Sequence, residues 1–173
     1  MKKASRNKSQ EARILQQDKG TQKKRYKKPD SIKELEVLAL EKKRERYPNN
    51  PYPAPKKYSD KTSNELTKAI IAYIDLNGGQ AERISSMGRK IKKRGKDIWI
   101  PGTSRNGTAD ISATINGRSV KIEVKNRRTK DRMSKTQESY RAEVEKAGGI
   151  YLIARDFDQI KGEIDKQLGG FNG

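Results

Sequence analysis

Apolar and polar residues alternate on both sides of Asn116-Gly117, and this is the clearest pattern in the chain. Asn-Gly is preferred in a type I′ turn because both of its residues must adopt positive φ. The alternation is typical of strands with one buried face. A two-residue turn fixes the register and places Asp110 opposite Glu123. Residues 107–125 are therefore predicted to form a hairpin with one apolar face: Ile111, Ala113, Ile115, Val120, Ile122 and Val124.

Two segments before the hairpin, residues 31–47 and 62–76, carry apolar residues at the spacing of helices that pack on a core. In the second helix the stripe is Leu66, Ala69, Ile70, Tyr73 and Ile74. Each helix begins with a hydroxyl residue and a glutamate three positions later, the capping-box pattern: Ser31 with Glu34, and Thr62 with Glu65. Between them, the proline-rich residues 48–61 predict an extended linker.

Several further elements follow from the same patterns. Residues 80–86 fit a short strand, and residues 134–147 fit a helix that starts at a Ser-x-x-Gln cap. The continuous apolar run 150–154 predicts a buried strand, and residues 157–168 predict a terminal amphipathic helix. Residues 89–96, six of which are Lys or Arg, are predicted to be a phosphate-binding loop.

Two aromatic residues next to basic runs have alternative interpretations. Trp99 follows the predicted basic loop, and packing into the core is favoured over stacking on a base. Tyr26 lies among lysines and arginines in residues 1–30, a stretch with almost no apolar periodicity. That stretch is predicted to be disordered or to order on contact, either as a nucleic-acid contact or as a solubilising tail.

Composition narrows the class of protein. Of 173 residues, 31% are hydrophobic and 36% are charged, and the formal net charge is +19. Such an excess of positive charge favours a polyanionic partner, above all nucleic acid. The absence of Cys and His excludes disulfides, the usual structural zinc sites and histidine catalysis. With no bilayer-length apolar run and no signal-peptide pattern, we expect a cytoplasmic protein of a bacterial or phage-infected cell.

The hairpin register brings two carboxylates together. Directly opposed side chains have Cβ atoms about 4.5–5.5 Å apart, so Asp110 and Glu123 repel each other unless a cation lies between them. Carboxylate oxygens suit Mg²⁺, and Lys125 points to the same face as Glu123. Two acids and a lysine around a metal can support phosphoryl transfer. The alternative is a solvated strand face on which Lys121 and Lys125 neutralise the acids.

The order of parts over residues 62–160 resembles the PD-(D/E)XK nuclease superfamily, and most closely its VRR-NUC branch, found in phage and mobile-element proteins. The resemblance rests on Gly107-x-x-Asp110, on Glu123-Val-Lys125 and on a glutamine in the following helix. It implies an α/β, restriction-endonuclease-like fold, with a mixed central sheet flanked by helices. The proline of the family name is missing, because Ala109 precedes Asp110. Residues 62–173 would form this domain, preceded by a basic, partly helical extension over residues 1–61.

The resemblance also implies roles for individual residues. The metal ligands would be Asp110, Glu123 and the carbonyl of Val124. Lys125 would assist catalysis, Gln137 would orient the site unless it only caps its helix, and Glu65 would complete the metal shell unless it only caps. Nucleic acid would contact a further, basic set: Arg83, Arg89, Lys90, Lys92, Lys93, Arg94, Arg127, Arg128 and Lys130.

The implied activity is Mg²⁺-dependent hydrolysis of DNA phosphodiester bonds, with Mn²⁺ as a substitute ion. The sequence leaves the substrate open among junctions, flaps, nicks, plain duplex and RNA, and the resemblance allows a homodimer. Two other classes of function are compatible with the composition. One is a DNA-binding protein without catalysis, in which the acids form structural ion pairs. The other is a basic nucleic-acid packaging component that works through residues 1–61.

Overall fold

A computed structural model of the chain describes residues 25–50, 52–84, 88–100, 105–129 and 131–171. No helix in these ranges is long and apolar enough to cross a membrane. In chain order, the elements in these ranges are α1 (Asp30–Arg46), α2 (Ser63–Leu76), β1 (Gln80–Arg83), β2 (Arg89–Lys93), β3 (Lys96–Ile100), β4 (Ile111–Ile115), β5 (Arg118–Val124), α3 (Lys135–Lys146), β6 (Ile150–Ala154) and α4 (Phe157–Leu168).

The main sheet of the described residues is mixed and has the strand order β1-β4-β5-β6. Strands β1, β4 and β5 are antiparallel neighbours, whereas β6 runs parallel to β5. Asn116 and Gly117 both have positive φ, at 49° and 75°, as a type I′ turn requires. Ile111 faces Ile122, so the predicted hairpin register is confirmed. The chain is thus an α/β protein whose mixed sheet is flanked by helices.

One face of this sheet, the core face, carries all six apolar residues predicted for the hairpin, and all six are buried. The stripe predicted on α2 is also buried, and Thr62 and Glu65 form the predicted capping box. Helix α4 adds four buried residues to the same cluster: Phe157, Ile160, Ile164 and Leu168. The apolar face of the sheet, with its period of two, therefore packs against the apolar stripes of α2 and α4, with their helical period, in one core.

Helix α1 also packs into this core. Ile32 and Leu35 are buried, at 0% and 3% exposure. The predicted capping box at the start of α1 is wrong, because the N-cap residue is Pro29 and makes no side-chain capping bond. Ser31 instead donates to Asp158, and Glu34 pairs with Lys161 on α4. The side chains available for capping are used for docking.

The described residues of the linker between α1 and α2, 47–50 and 52–62, have no regular secondary structure, as predicted, but they contribute to packing. Tyr58 and Asp60 are both 7% exposed. The Asp60 carboxylate accepts from the Tyr26 hydroxyl at 2.8 Å and from the backbone amide of Phe157 at 3.2 Å. Residues on the two sides of the predicted domain boundary at residue 61 are therefore packed against each other.

The opposite face of the sheet, called here the site face, is contacted by α3. Tyr140 of α3 packs edge-on against Tyr151 of β6, with ring centroids 6.3 Å apart. No residue of α3 is fully buried, in contrast to α2 and α4 on the core face. The site face is therefore covered by a single, largely exposed helix in the described structure.

Residues 89–96 do not form the predicted loop. They contribute β2, the start of β3 and an Arg94-Gly95 turn, in which both residues have positive φ. We call residues 88–100 the basic hairpin. The predicted packing role of Trp99 is also wrong, since its side chain is 60% exposed. Positive φ at both central residues is the geometry of a two-residue I′ turn, and the sequence does not predict it because Arg is not one of the residues that favour it.

We predict that Ile32→Ala lowers the free energy of unfolding by about 2–5 kcal/mol, because it empties a fully buried site in the core. Val37→Ala, at a 56% exposed position on the same helix, is the matched control and should change the value by less than about 0.5 kcal/mol. Urea unfolding measures both. Equal, small effects would mean that α1 is not docked on the core.

Candidate active site

Asp110 lies immediately before β4, where two neighbouring strands hold it. Its backbone carbonyl accepts from the Ile84 amide at 2.8 Å, on the side of β1. Its carboxylate accepts from the Val124 amide at 2.9 Å, on the side of β5. The carboxylate is therefore fixed at the end of β5 by a backbone donor of the adjacent strand.

Glu123 is the most deeply buried acid of the site, with 3% of its surface exposed. Its Oε1 accepts from the Gln137 side-chain amide, and the Lys125 Nζ lies 3.2 Å away. Its buried Oε2 has no hydrogen-bond partner among the described residues. Burial and, next, the charge of Asp110 raise the pKa of Glu123 to about 7. The site therefore holds a carboxylate oxygen that lacks compensation for its desolvation.

Lys125 follows Glu123 on the same face and is 6% exposed. Its ammonium contacts the Glu123 carboxylate and donates to Asp131 Oδ2 at 3.1 Å. Burial by itself lowers the pKa of this lysine, but the hydrogen bonds to Asp131 and Glu123 outweigh burial and raise the pKa. Lys125 is consequently a buried, charged group positioned beside the Glu123 carboxylate.

Gln137, in the first turn of α3, uses both ends of its amide. The Oε1 atom accepts from the Ser134 backbone amide at 2.9 Å and completes a capping box. The Nε2 atom donates to Glu123. The two roles considered for this residue, capping and orientation of the site, are thus compatible in one side chain. An ionised carboxylate at this position could accept at one end but could not donate at the other.

The structure explains why the Gly-x-x-Asp motif begins with a glycine, Gly107. Its φ is +83°, and a Cβ at this position would collide with the backbone carbonyl of Thr136. The loop before β4 therefore passes directly against the first turn of α3. This close approach keeps the turn that carries Gln137 next to the strand that carries Asp110.

Two residues of the site were not singled out in the sequence. Asp131 is the one acid in the basic run 126–132, and it orients Lys125. Tyr151 lies opposite Lys121 in the parallel β5–β6 pair, so its side chain is on the site face. Its hydroxyl is buried without a hydrogen-bond partner among the described residues, and burial, Glu123 and Asp110 raise its pKa. Only the strand register reveals that Tyr151 belongs to the site.

Two of the predicted site residues lie elsewhere. Glu65 completes the α2 capping box through bonds to Thr62 and faces the linker rather than the two acids. Arg83 lies opposite Ile111, which places it on the core side of the sheet, and it donates to Asn64 at 2.9 Å. The structure therefore brings together Asp110, Glu123, Lys125 and Gln137 but neither of these two.

The basic residues predicted to bind nucleic acid occupy two regions. Those of the basic hairpin are exposed at Lys90, Lys92, Lys93 and Arg94. In the loop after β5, Arg127 pairs with Asp156 at 2.6 Å, and the guanidinium of Arg128 lies 6.0 Å from the Tyr26 ring centroid. The side chain of Arg89 and all of Lys130 are outside the described residues, as are residues 1–24.

The donor set of the site fits a divalent cation held by few protein ligands. Within the described ranges, no group of three or more His, Cys, Asp or Glu residues is arranged to hold a metal. Asp110 and Glu123 form a pair, and the uncompensated Glu123 Oε2 is the kind of oxygen that a cation would neutralise. Mg²⁺ typically takes one or two carboxylates and keeps several waters, so two acids suffice.

A scan of the chain against protein-family models finds no match, and a search of curated proteins finds no similar sequence. The chemistry of the site must therefore be inferred from its own residues. Those residues are a carboxylate pair, a buried lysine and a glutamine, located where β5 ends beneath the first turn of α3.

We predict that, in EDTA, wild-type stability relative to Glu123→Gln falls as the pH rises from about 4.5 to 7. The folded pKa of about 7 exceeds the ordinary value of 4.5, so the folded state holds a proton that the unfolded state has lost in this interval. The full difference is about 3 kcal/mol. Urea unfolding at several pH values measures it, and parallel pH profiles of the two proteins would contradict the prediction.

We predict that Gln137→Glu destabilises the metal-free protein by about 1–3 kcal/mol, because a carboxylate replaces the amide donor to buried Glu123. Glutamate still serves the capping box and favours a helix N-terminus, so any loss reports on the Glu123 contact. Glu138→Gln, in the same exposed turn, is the control for charge and is expected to change stability little. Thermal unfolding in EDTA compares the variants. Unchanged stability of Gln137→Glu would show that the contact between Gln137 and Glu123 does not stabilise the protein.

Proposed function

We propose that the chain is a Mg²⁺-dependent nuclease that hydrolyses DNA phosphodiester bonds, with a PD-(D/E)XK-type site related to the VRR-NUC branch. The observation that carries this proposal is the buried Glu123–Lys125 pair beside Asp110, with one carboxylate oxygen left without a partner. Burying charged groups is costly, and an incompletely paired cluster is seldom retained for stability alone. The four-stranded mixed sheet of the described residues supports the same proposal.

In this proposal Asp110 and Glu123 would hold the Mg²⁺, together with the backbone carbonyl of Val124, and Mn²⁺ would substitute. When bound, the metal would supply Lewis-acid activation of water and neutralise charge on the phosphate. The protein holds Asp110 in place through the Val124 amide and Glu123 through Gln137. These contacts fix the carboxylates before substrate arrives, so little reorganisation is needed.

Lys125 would act on the substrate directly. Its raised pKa keeps the ammonium charged at neutral pH, and Asp131 on one side and Glu123 on the other limit its movement. A preorganised positive charge in a buried site stabilises the negative charge that develops on a pentacoordinate phosphate. The exposed basic residues of the hairpin and of the loop after β5 would bind flanking phosphates, which makes affinity sensitive to salt.

A second candidate, a DNA-binding protein without catalysis, is favoured by the contacts of Lys125. Its two ion pairs, to Glu123 and to Asp131, are what a purely structural cluster would also contain. Such a cluster predicts tight binding with no cutting under any metal. The packaging alternative would place function in residues 1–61 and predicts that deleting them removes most function, although that deletion also removes Ile32 and Leu35 from the core.

We predict that the wild type cuts labelled DNA in Mg²⁺ or Mn²⁺ and not in EDTA, and that Asp110→Ala, Glu123→Ala and Lys125→Ala each reduce the rate at least about 100-fold. Binding should be largely retained, since none of the three side chains is exposed. Glu45→Ala, at an exposed acid of α1, is the control and should cut normally. The assay compares duplex, single strand, flap and four-way junction. Normal cutting by Glu123→Ala would refute the assignment of the site.

A further inference from the structure

The basic hairpin lies in the chain between β1 and Asp110 of the candidate active site. Strand β1 ends beside Asp110, where the Ile84 amide bonds to the Asp110 carbonyl, and the hairpin is inserted in the chain between these two residues. Its strands pair only with each other in the described sheet topology. The hairpin is therefore an insertion between two residues that are bonded to each other at the site, and it is not needed to complete the main sheet.

The side chains of this hairpin are unusual for a structural element. Every residue of β3 is exposed, including three large apolar ones: Ile98 at 42%, Trp99 at 60% and Ile100 at 38%. A two-stranded hairpin has little stability of its own in water, so exposed apolar groups on it are a cost to the free protein. Clustered exposed apolar residues in a soluble protein commonly mark a binding surface.

Trp99 has a defined position on the hairpin. A Cβ at Gly88 would lie 2.6 Å from the indole ring, so the ring rests against the space that this glycine leaves. Trp99 is paired with Lys90 across the strands, and the two side chains are therefore on the same face. An indole supported on one side, open on the other and next to an ammonium offers a stacking surface together with a phosphate contact.

Charge determines which partner suits this surface. Six of the eight residues 89–96 are Lys or Arg, and Asp97 is the one acid in residues 88–100. The described side chains of Lys90, Lys92, Lys93 and Lys96 form no salt bridge with another described residue. A second copy of the chain would bring a second set of positive charges and be repelled. A polyanion with flat rings complements both the charge and the indole.

We propose that Trp99 stacks on an unpaired DNA base while the lysines of the basic hairpin bind the adjoining phosphates. This would make DNA with single-stranded nucleotides next to the cut, such as a flap or a junction, the preferred substrate of the nuclease. The substrate preference rests on the proposed function, whereas the stacking does not. Aromatic stacking tolerates any base, so the preference would be for structure rather than for sequence.

Trp99 is the single tryptophan of the chain, so tryptophan fluorescence, excited at a wavelength that the seven tyrosines do not absorb, reports on the basic hairpin alone. We expect a single-stranded oligonucleotide, added in EDTA, to quench this fluorescence, and a blunt duplex of the same length to quench it much less. Fluorescence anisotropy of the labelled DNA confirms binding in each case. Unchanged tryptophan fluorescence at saturating single strand would overturn the proposal.

Substitutions separate stacking from charge. Trp99→Ala should weaken single-strand binding about 5- to 100-fold, and Trp99→Tyr should restore most of the affinity. Lys90→Ala should instead lower the slope of log affinity against log salt by about 1. Tyr52→Ala removes a 90% exposed aromatic side chain outside the hairpin and is the matched control. Equal affinities of Trp99→Ala and wild type would show that the exposed indole does not stack.

The outcomes also distinguish this proposal from the nuclease proposal, because the binding assays contain EDTA and require no cleavage. Quenching by single strand without cleavage in any metal would retain the stacking surface and refute the nuclease. Equal cleavage of duplex and flap, with unquenched Trp99, would retain the nuclease and refute the stacking surface. Sedimentation tests whether a second copy of the chain binds the basic hairpin instead. If the wild type were a dimer and Trp99→Ala a monomer, the indole would serve self-association and the proposal would be overturned.

Discussion

The burial of Glu123 and Lys125 at the end of β5 is the constraint on which the rest of the site depends. Two charged side chains in a poorly solvated position are tolerated only when other groups compensate for the lost water. The compensation is partial, because Gln137 and Asp131 bond to the pair but one oxygen of Glu123 lacks a partner. Because the compensation is incomplete, the pKa of Glu123 is raised and its carboxylate retains a proton to higher pH. A bound cation would take the place of that proton.

This burial is possible because the two faces of the sheet have different roles. Helices α2 and α4 cover the core face, α1 packs against these two helices, and the apolar cluster that they share stabilises the strands. The site face can therefore carry polar groups without being required for the core. Helix α3 crosses only this face, and the close approach at Gly107 holds its first turn over the end of β5. A glutamine in that turn then reaches the buried glutamate.

Most of the positive charge of the protein lies outside the buried Glu123–Lys125 pair. Lys125, the single buried cation of the described residues, is paired with two acids, whereas the lysines of the basic hairpin are exposed. An exposed positive surface attracts a polyanion from a distance, and a buried charge acts only on a group that enters the site. In the proposed nuclease, this combination would separate binding from chemistry. The exposed indole of Trp99 lies among these exposed lysines.

The sequence by itself determined the elements whose signal is local. The period of two around Asn116-Gly117 defined the hairpin register, and helical spacing defined α2, α3 and α4, because backbone geometry links these periods to one buried face. Tertiary structure decided what depends on distant neighbours. The register of β6 brought Tyr151 to the site, and the docking of α1 turned Ser31 from capping to packing. The exposure of Trp99 was likewise not readable from its apolar neighbours, since burial depends on what packs against a strand and not on the strand's own residues.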